Sequence, residues 1–289
     1  MLANSNQPVE WDRRRFLKVA AVLGPFPLPD MGRLQTVGLP WRTAVNGGFA
    51  VVNLGANDSA PVVHFNGERV LVSGGNRSEW FAVVGIPLDC KPGRSPPLSV
   101  QYAPRRSREI YLRIKEKEYD AEYLVIKSDL VELTPVDLAR CELERTHTQG
   151  LLRNYSDFSP ASLLLVSPCE GIRTSSFGQL RFFNGQHRGA HNGMDIAAPV
   201  DTPIFAAGAG EIVDVGEYFF SGRTVIINHG RSFHTLYAHM NAVKVRPGQR
   251  VFAGQRIGTV GITGRVTGPH LHFAVYLNAA AVDPVLFLP

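Results

Sequence analysis

The chain has 289 residues, enough for two domains, and its 44% hydrophobic content against 19% charge excludes extended disorder from its body. No apolar run approaches the roughly 20 residues of a membrane-spanning helix, and 28 Gly with 20 Pro spread along the chain exclude collagen-like, coiled-coil and helical-repeat designs. The net charge of +5 suits an anionic partner, yet it divides into +3 from Ala161 onward and +2 before it, with no dense basic stripe, so nucleic acid is not the expected partner.

Residues 1–34 read as an export signal-like arm. Asp12-Arg13-Arg14-Arg15-Phe16-Leu17-Lys18, followed by an apolar stretch, resembles a twin-arginine signal, in which a cationic segment stays inside while the apolar stretch engages the membrane. Such a signal places the protein outside the cytoplasm, in the periplasm of a Gram-negative bacterium, with no stable membrane span.

Residues 35–128 are expected to form an accessory β-sandwich of the immunoglobulin-like kind. Apolar runs such as Phe49–Leu54 and Trp80–Val84 are separated by Gly, Asn and Pro clusters. Asn66-Gly67, between Val62–Phe65 and Val70–Val72, is a hairpin signal, because both residues accept positive φ. Ile110, Leu112 and Ile114 alternate with Tyr111, Arg113 and Lys115, which gives one buried and one solvated face.

Residues 129–166 are predicted to be a helical connector. Thr134 can cap a helix, Pro135 suits its first turn, and Asp137 complements the positive end of its dipole. Leu138, Cys141, Leu143 and Leu151–Leu152 form the expected apolar stripe, ending near Asn154. The three cysteines, Cys90, Cys141 and Cys169, are far apart and lack Cys-x-x-Cys spacing, so they read as buried or incidental thiols.

Residues 167–289 again alternate apolar runs with glycine turns, the pattern of an all-β domain with a curved, groove-forming sheet. The chemistry gathers here. His191 and Asp195 flank an Asn192-Gly193 bend that can turn both side chains toward one point. His270 and His272 are two apart on a predicted strand and therefore share a face. Both cannot easily bind one small ion from a flat strand, so one ligates while its neighbour reaches a molecule held on the ion. Tyr237-Ala-His239 supplies another strand histidine, with Tyr237 expected on the same face, whereas His234 has the opposite parity and is expected to face away. Two imidazoles, one carboxylate and an open position form the usual donor set of a hydrolytic zinc site.

His-x-Gly-x-Asp-Ile-Ala-Ala-Pro from His191, Tyr-Ala-His at 237–239 and Thr-Gly-Pro-His-Leu-His-Phe at 267–273 resemble the lysostaphin-type zinc metallopeptidase family. The resemblance implies a mainly β fold with a carboxy-terminal duplicated-hybrid-motif peptidase domain. It also implies one zinc ion held by His191, Asp195 and His272, with His239 and His270 as the unligated catalytic pair. The implied activity is zinc-dependent endopeptidase hydrolysis of peptide cross-links in bacterial peptidoglycan, with the peptide stems as partners. Ala274 departs from the Glu common among relatives, at a position expected outside the metal shell. Oligomeric state is not readable from the chain.

Two other classes compete. A non-catalytic wall-binding or amidase-activating relative would have lost some ligand positions, yet all five are present. A lipoyl- or biotinyl-type carrier needs a lysine at a hairpin tip, but Lys244, the only lysine after Lys127, falls inside a strand pattern.

Overall fold

The computed structural model describes residues 44–74, 79–124 and 133–289, so the Arg13-Arg14 segment lies outside the described residues. The described residues begin with β1 (Phe49–Ala56), β2 (Val62–Phe65), β3 (Glu68–Arg69), β4 (Leu71–Gly74), β5 (Glu79–Gly85), β6 (Gly93–Ala103), β7 (Arg106–Ile114) and β8 (Ala121–Leu124). The helix α1 (Pro135–Arg153) follows. Then come β9 (Ile172–Ser175), β10 (Leu180–Phe183), β11 (Gln186–Ala190), β12 (Met194–Ala197), β13 (Pro203–Phe205), β14 (Gly210–Tyr218) and β15 (Gly222–Gly230). The chain closes with β16 (Phe233–Ala238), β17 (Met240–Val243), β18 (Arg250–Val251), β19 (Arg256–Val260), β20 (His270–Leu277) and β21 (Ala280–Val282). A 3-10 turn spans Pro284–Leu286.

The amino-terminal strands form two antiparallel sheets, β1-β5-β4 and β3-β2-β6-β7, as expected of a sandwich. Asn66 (φ 52°) and Gly67 (φ 81°) make the two-residue turn that joins β2 to β3. The hairpin is brief. After Val70 the chain crosses to the other sheet, where β4 pairs with β5. Val63, Phe65, Val72, Trp80, Val84 and Leu98 fill the space between the sheets.

The outer face of β1-β5-β4 is buried as well. Phe49, Leu71 and Val83 join the same core as Phe233, Leu277 and Phe287 from the carboxy-terminal half. Burial on both faces explains why Phe49–Leu54 and Trp80–Val84 read as nearly continuous apolar runs and not as strict alternation. The junction is hydrogen-bonded too. Gly85 N–H donates to Asn278 Oδ1 at 2.6 Å, and Asn278 Nδ2 donates to the Gly85 carbonyl at 3.0 Å.

The carboxy-terminal half holds an eight-stranded sheet in the order β18-β14-β15-β16-β20-β12-β9, with β21 paired to β20, and a three-stranded sheet β13-β19-β17. One face of the large sheet carries the main core. The other face carries Ile226, Leu236, Ala238, Ala274 and Tyr276, and only the last turn of α1, at Leu151 and Leu152, packs there.

Helix α1 has the expected bounds. Thr134 is the N-cap, its hydroxyl accepts from Asp137 N–H, and the Asp137 carboxylate reaches back to Thr134 N–H in a reciprocal capping box. The expected apolar stripe is overturned. Leu138 is 55% and Leu143 74% exposed, while Glu144 and Thr148 turn inward. Most of the helix overlies a cleft and not a closed apolar surface, so its inner face is polar. All three cysteines are free thiols, and burial pushes Cys169 up to about 12.

Two buried histidines make acid stability predictable. His229 bonds the Ala209 carbonyl and Thr235 Oγ1, both at 2.8 Å, and burial pulls it down to about 4 despite the carbonyl. His234, opposite Tyr276 on β20, is pulled to about 3 by burial and then by His229. Below about pH 6.5 the unfolded chain binds protons that the fold refuses, so stability falls as pH drops toward 4. His229 alone accounts for on the order of 3 kcal/mol of that loss. Thermal melts from pH 7.5 to 4.5 should show this slope, and His229→Gln should flatten it; equal slopes in both proteins would refute it.

Candidate metal centre

The site is assembled at the ends of three neighbouring strands. On β20, Leu271, Phe273, Val275 and Leu277 enter the main core, so His270 and His272 stand on the opposite face. Antiparallel pairing sets His272 directly across from Asp195 of β12 and from Ala238 of β16. The Asn192-Gly193 bend between β11 and β12 then swings His191 onto the same point.

The result is a tight triangle of donors. His191 Nε2 lies 3.1 Å from Asp195 Oδ1, His272 Nδ1 lies 3.0 Å from that oxygen, and the two nitrogens are 2.9 Å apart. Tetrahedral ligands about 2.0–2.2 Å from zinc would stand about 3.3–3.6 Å from one another, a few tenths of an ångström wider than this triangle. The donor set and its spacing therefore fit a small divalent cation. Among the described residues, this is the group of His, Cys, Asp or Glu side chains whose ligand atoms converge in this way.

The hydrogen bonds around the triangle fix the tautomers. His191 Nδ1 faces the Ser176 carbonyl at 3.0 Å, His239 Nδ1 faces Thr263 O at 2.9 Å, and His270 Nδ1 faces Gly268 O at 2.9 Å. A carbonyl only accepts, so each Nδ1 carries the proton and each Nε2 keeps its lone pair. For His191 and His270 that lone pair is turned toward Asp195, with His270 Nε2 3.8 Å from Oδ1.

Burial and neighbouring groups shift three members of the site. Burial pulls His239 down to about 3, and the neighbouring His272 and His270 rings act in the same sense. Burial likewise lowers His272, against the pull of Asp195. Burial alone would raise Asp195, but the adjoining His191 and His272 rings hold it far below the usual carboxylate range. A cation requires of its ligands an ionised carboxylate and imidazole nitrogens with open lone pairs.

His239 arrives by a route that strand parity does not foresee. β16 ends at Ala238, and His239 adopts φ 62° where the chain leaves the large sheet for β17. The left-handed residue breaks the alternation and turns the ring to within 4.7 Å of His270 and 6.0 Å of His272, measured between ring centres. Tyr237 therefore does not share its face. Tyr237 points into the main core, where its hydroxyl accepts from Ala207 N–H at 2.8 Å. His234 is corrected in the same way: with Leu236 and Ala238 it lies on the face of His272, at the far end of the strand.

Arg181 escaped sequence reasoning. From β10 its Nη2 donates to Asp195 Oδ2 and to Ser175 Oγ, at 2.8 and 2.9 Å. That bond occupies the carboxylate oxygen turned away from the histidines. No spacing signal marks it, because the pairing of β10 with β11 and β8 puts it there.

Residues 189–284 match the sequence model of peptidase family M23, and residues 42–117 match that of the peptidase family M23 N-terminal domain. A crystal structure from Pseudomonas aeruginosa, described as a peptidase M23, superposes with a TM-score of 0.72 at 37% identity, covering 86% of this chain and 96% of that one. Peptidoglycan DD-endopeptidase ShyC of Vibrio cholerae is 42% identical over 137 residues, which are 45% of this chain and 31% of the relative. ShyA of the same organism is 43% identical over 93 residues, 32% of this chain and 22% of the relative. The chain thus spans less than a third of the length of these curated relatives.

Arg181 generates a prediction about metal affinity. Removing a group that orients a ligand typically weakens binding about 10–100-fold. Cobalt(II) titration of Arg181→Met should show that loss with one site retained; unchanged affinity would deny it an orienting role.

Proposed function

Since this chain belongs to peptidase family M23, we infer that it is a zinc metalloendopeptidase hydrolysing peptide cross-links of bacterial peptidoglycan. The observation that carries this reading is the convergence of five side chains, His191, Asp195, His239, His270 and His272, on one spot at the strand ends. The Vibrio cholerae relatives are peptidoglycan DD-endopeptidases, and we propose the same substrate class for this chain.

In this reading His191, Asp195 and His272 hold the zinc. When bound, the metal supplies a Lewis acid for the scissile carbonyl and acidifies a water. His239 and His270 serve as the acid–base pair. Each is anchored through Nδ1–H to a backbone carbonyl, so each presents Nε2 to accept the proton of the attacking water and return it to the leaving amine. Once protonated, the partner imidazole can donate a hydrogen bond to the developing oxyanion. His239 is buried and His270 half-buried, and the two Nδ1–H bonds keep their basic nitrogens directed.

A wall substrate places the working protein beyond the cytoplasmic membrane. The Arg13-Arg14 segment would supply export, into the periplasm in a Gram-negative cell. Among the described residues, no helix is long and apolar enough to cross a membrane.

Metal content and turnover separate the two sets of residues. His191→Ala, Asp195→Ala and His272→Ala should purify with little zinc and no hydrolysis. His239→Ala and His270→Ala should keep near-stoichiometric zinc and lose about 10²–10⁴-fold in rate. Mass spectrometry of fragments released from purified sacculi identifies the bond. A zinc-loaded wild-type chain that releases no peptide fragments would overturn the reading.

A further inference from the structure

His239 lies at the crossover from β16 to β17, so strand alternation does not set the direction of its ring. Two carbonyls hold the residue instead. Ser221 O accepts from its backbone N–H at 2.8 Å, and Thr263 O accepts from its Nδ1–H at 2.9 Å. Neither carbonyl belongs to a strand. Ser221 is in the turn between β14 and β15, and Thr263 is in the loop between β19 and β20. The direction of the ring therefore depends on whatever fixes that turn and that loop against each other.

The Thr263 hydroxyl fixes them with both of its hydrogen-bonding functions. Its O–H donates to the Met240 carbonyl at 2.9 Å, and its oxygen accepts from Arg223 N–H at 2.9 Å. Met240 opens β17 and directly follows His239, while Arg223 is the second residue of β15. One side chain thus ties the loop to both strands, and the carbonyl of the same residue holds the ring. The backbones close up to allow it. A Cβ on Gly222 (φ 59°) would overlap the Thr263 carbonyl carbon and hydroxyl oxygen, and a Cβ on Gly264 (φ 77°) would overlap the Gly222 nitrogen. Beside this contact, Arg265 N–H donates to the Phe220 carbonyl at 2.9 Å. His270 has a separate mount: it opens β20, Gly261 pairs with it in an antiparallel bridge, and its Nδ1–H donates to Gly268 O at 2.9 Å.

We propose that Thr263 is a positioning residue for the reaction: its hydroxyl sets the place of its own carbonyl and thereby the direction of the His239 ring. The proposal rests on the peptidase reading above for the acid–base duty of that ring. Misplacing a reacting group by about 1 Å can cost about 10²-fold in rate. Because Thr263 acts through His239 and not through a contact with the peptide, the loss falls on kcat and leaves KM alone. A hydroxyl that merely stiffened the loop would lower stability without this split.

The test uses the zinc-loaded full chain, a synthetic cross-linked peptide and Thr263→Val, which keeps the size of the side chain and removes the hydroxyl. Its kcat should fall about 10–100-fold with KM and zinc content unchanged, and Thr263→Ser should recover most of the loss. Thr263→Ala, which leaves room for water at the two backbone groups left unpaired, takes the same role if the valine variant does not fold. The loss should vanish when His239 is already alanine and persist in full when His270 is, since only coupled residues depart from additivity. Nitrogen-resolved NMR of the His239 ring gives a reading without turnover. Its protected Nδ1–H signal should be lost in Thr263→Val and kept in Thr263→Ser. An unchanged kcat in a folded, zinc-loaded Thr263→Val chain, or the same fractional loss in all three backgrounds, would overturn the proposal. A wild-type chain that cleaves nothing, while its His239 signal still depends on the hydroxyl, would overturn the peptidase reading and leave the positioning of His239 standing.

Discussion

Side chains on a β-strand alternate between two faces, and β20 uses both to the full. Leu271, Phe273, Val275 and Leu277 are buried in the main core, while His270 and His272 stand opposite them. A slip of one residue would exchange the two sets and place imidazoles in the core. The apolar set therefore fixes the register that sets His272 across from Asp195. Core packing and site geometry are in this sense one constraint.

That constraint extends into the amino-terminal half. Phe49, Leu71 and Val83 occupy the core that also contains Leu277 and Phe287, and Asn278, at the end of β20, bonds both backbone groups of Gly85. The sandwich thus buttresses the far end of the strand that carries the histidines. Residues 121–124 also add β8 in parallel to β10, the strand that bears Arg181. Among the described residues, the accessory half contributes none of the five converging side chains, yet it supports two of the strands on which the site is built.

A regular strand cannot supply every group the site contains. His239 is delivered by a left-handed residue where one sheet ends and the other begins, and it is held there by Ser221 and Thr263 carbonyls through its N–H groups. A non-glycine residue at positive φ costs roughly 1 kcal/mol or more. The surrounding hydrogen bonds offset that cost. α1 departs from its local preference in a similar way, exposing leucines so that a polar face can border the cleft.

Much of this was legible in the residues alone. Periodicity marked β7, the Asn66-Gly67 pair marked its hairpin, Thr134-Pro135-Val136-Asp137 marked the start of α1, and the His-containing motifs named the five side chains that converge. These are local signals, set by φ preferences, capping chemistry and strand alternation within a few residues. Tertiary structure decided the rest: the face of His239, the core shared by the two halves, the reach of Arg181 to Asp195 and the cleft under α1. Each depends on pairings between segments distant in the chain, as when His191 meets His272 across 81 positions. Local propensity carries no record of such distances, because burial and strand register are settled only when the whole sheet closes.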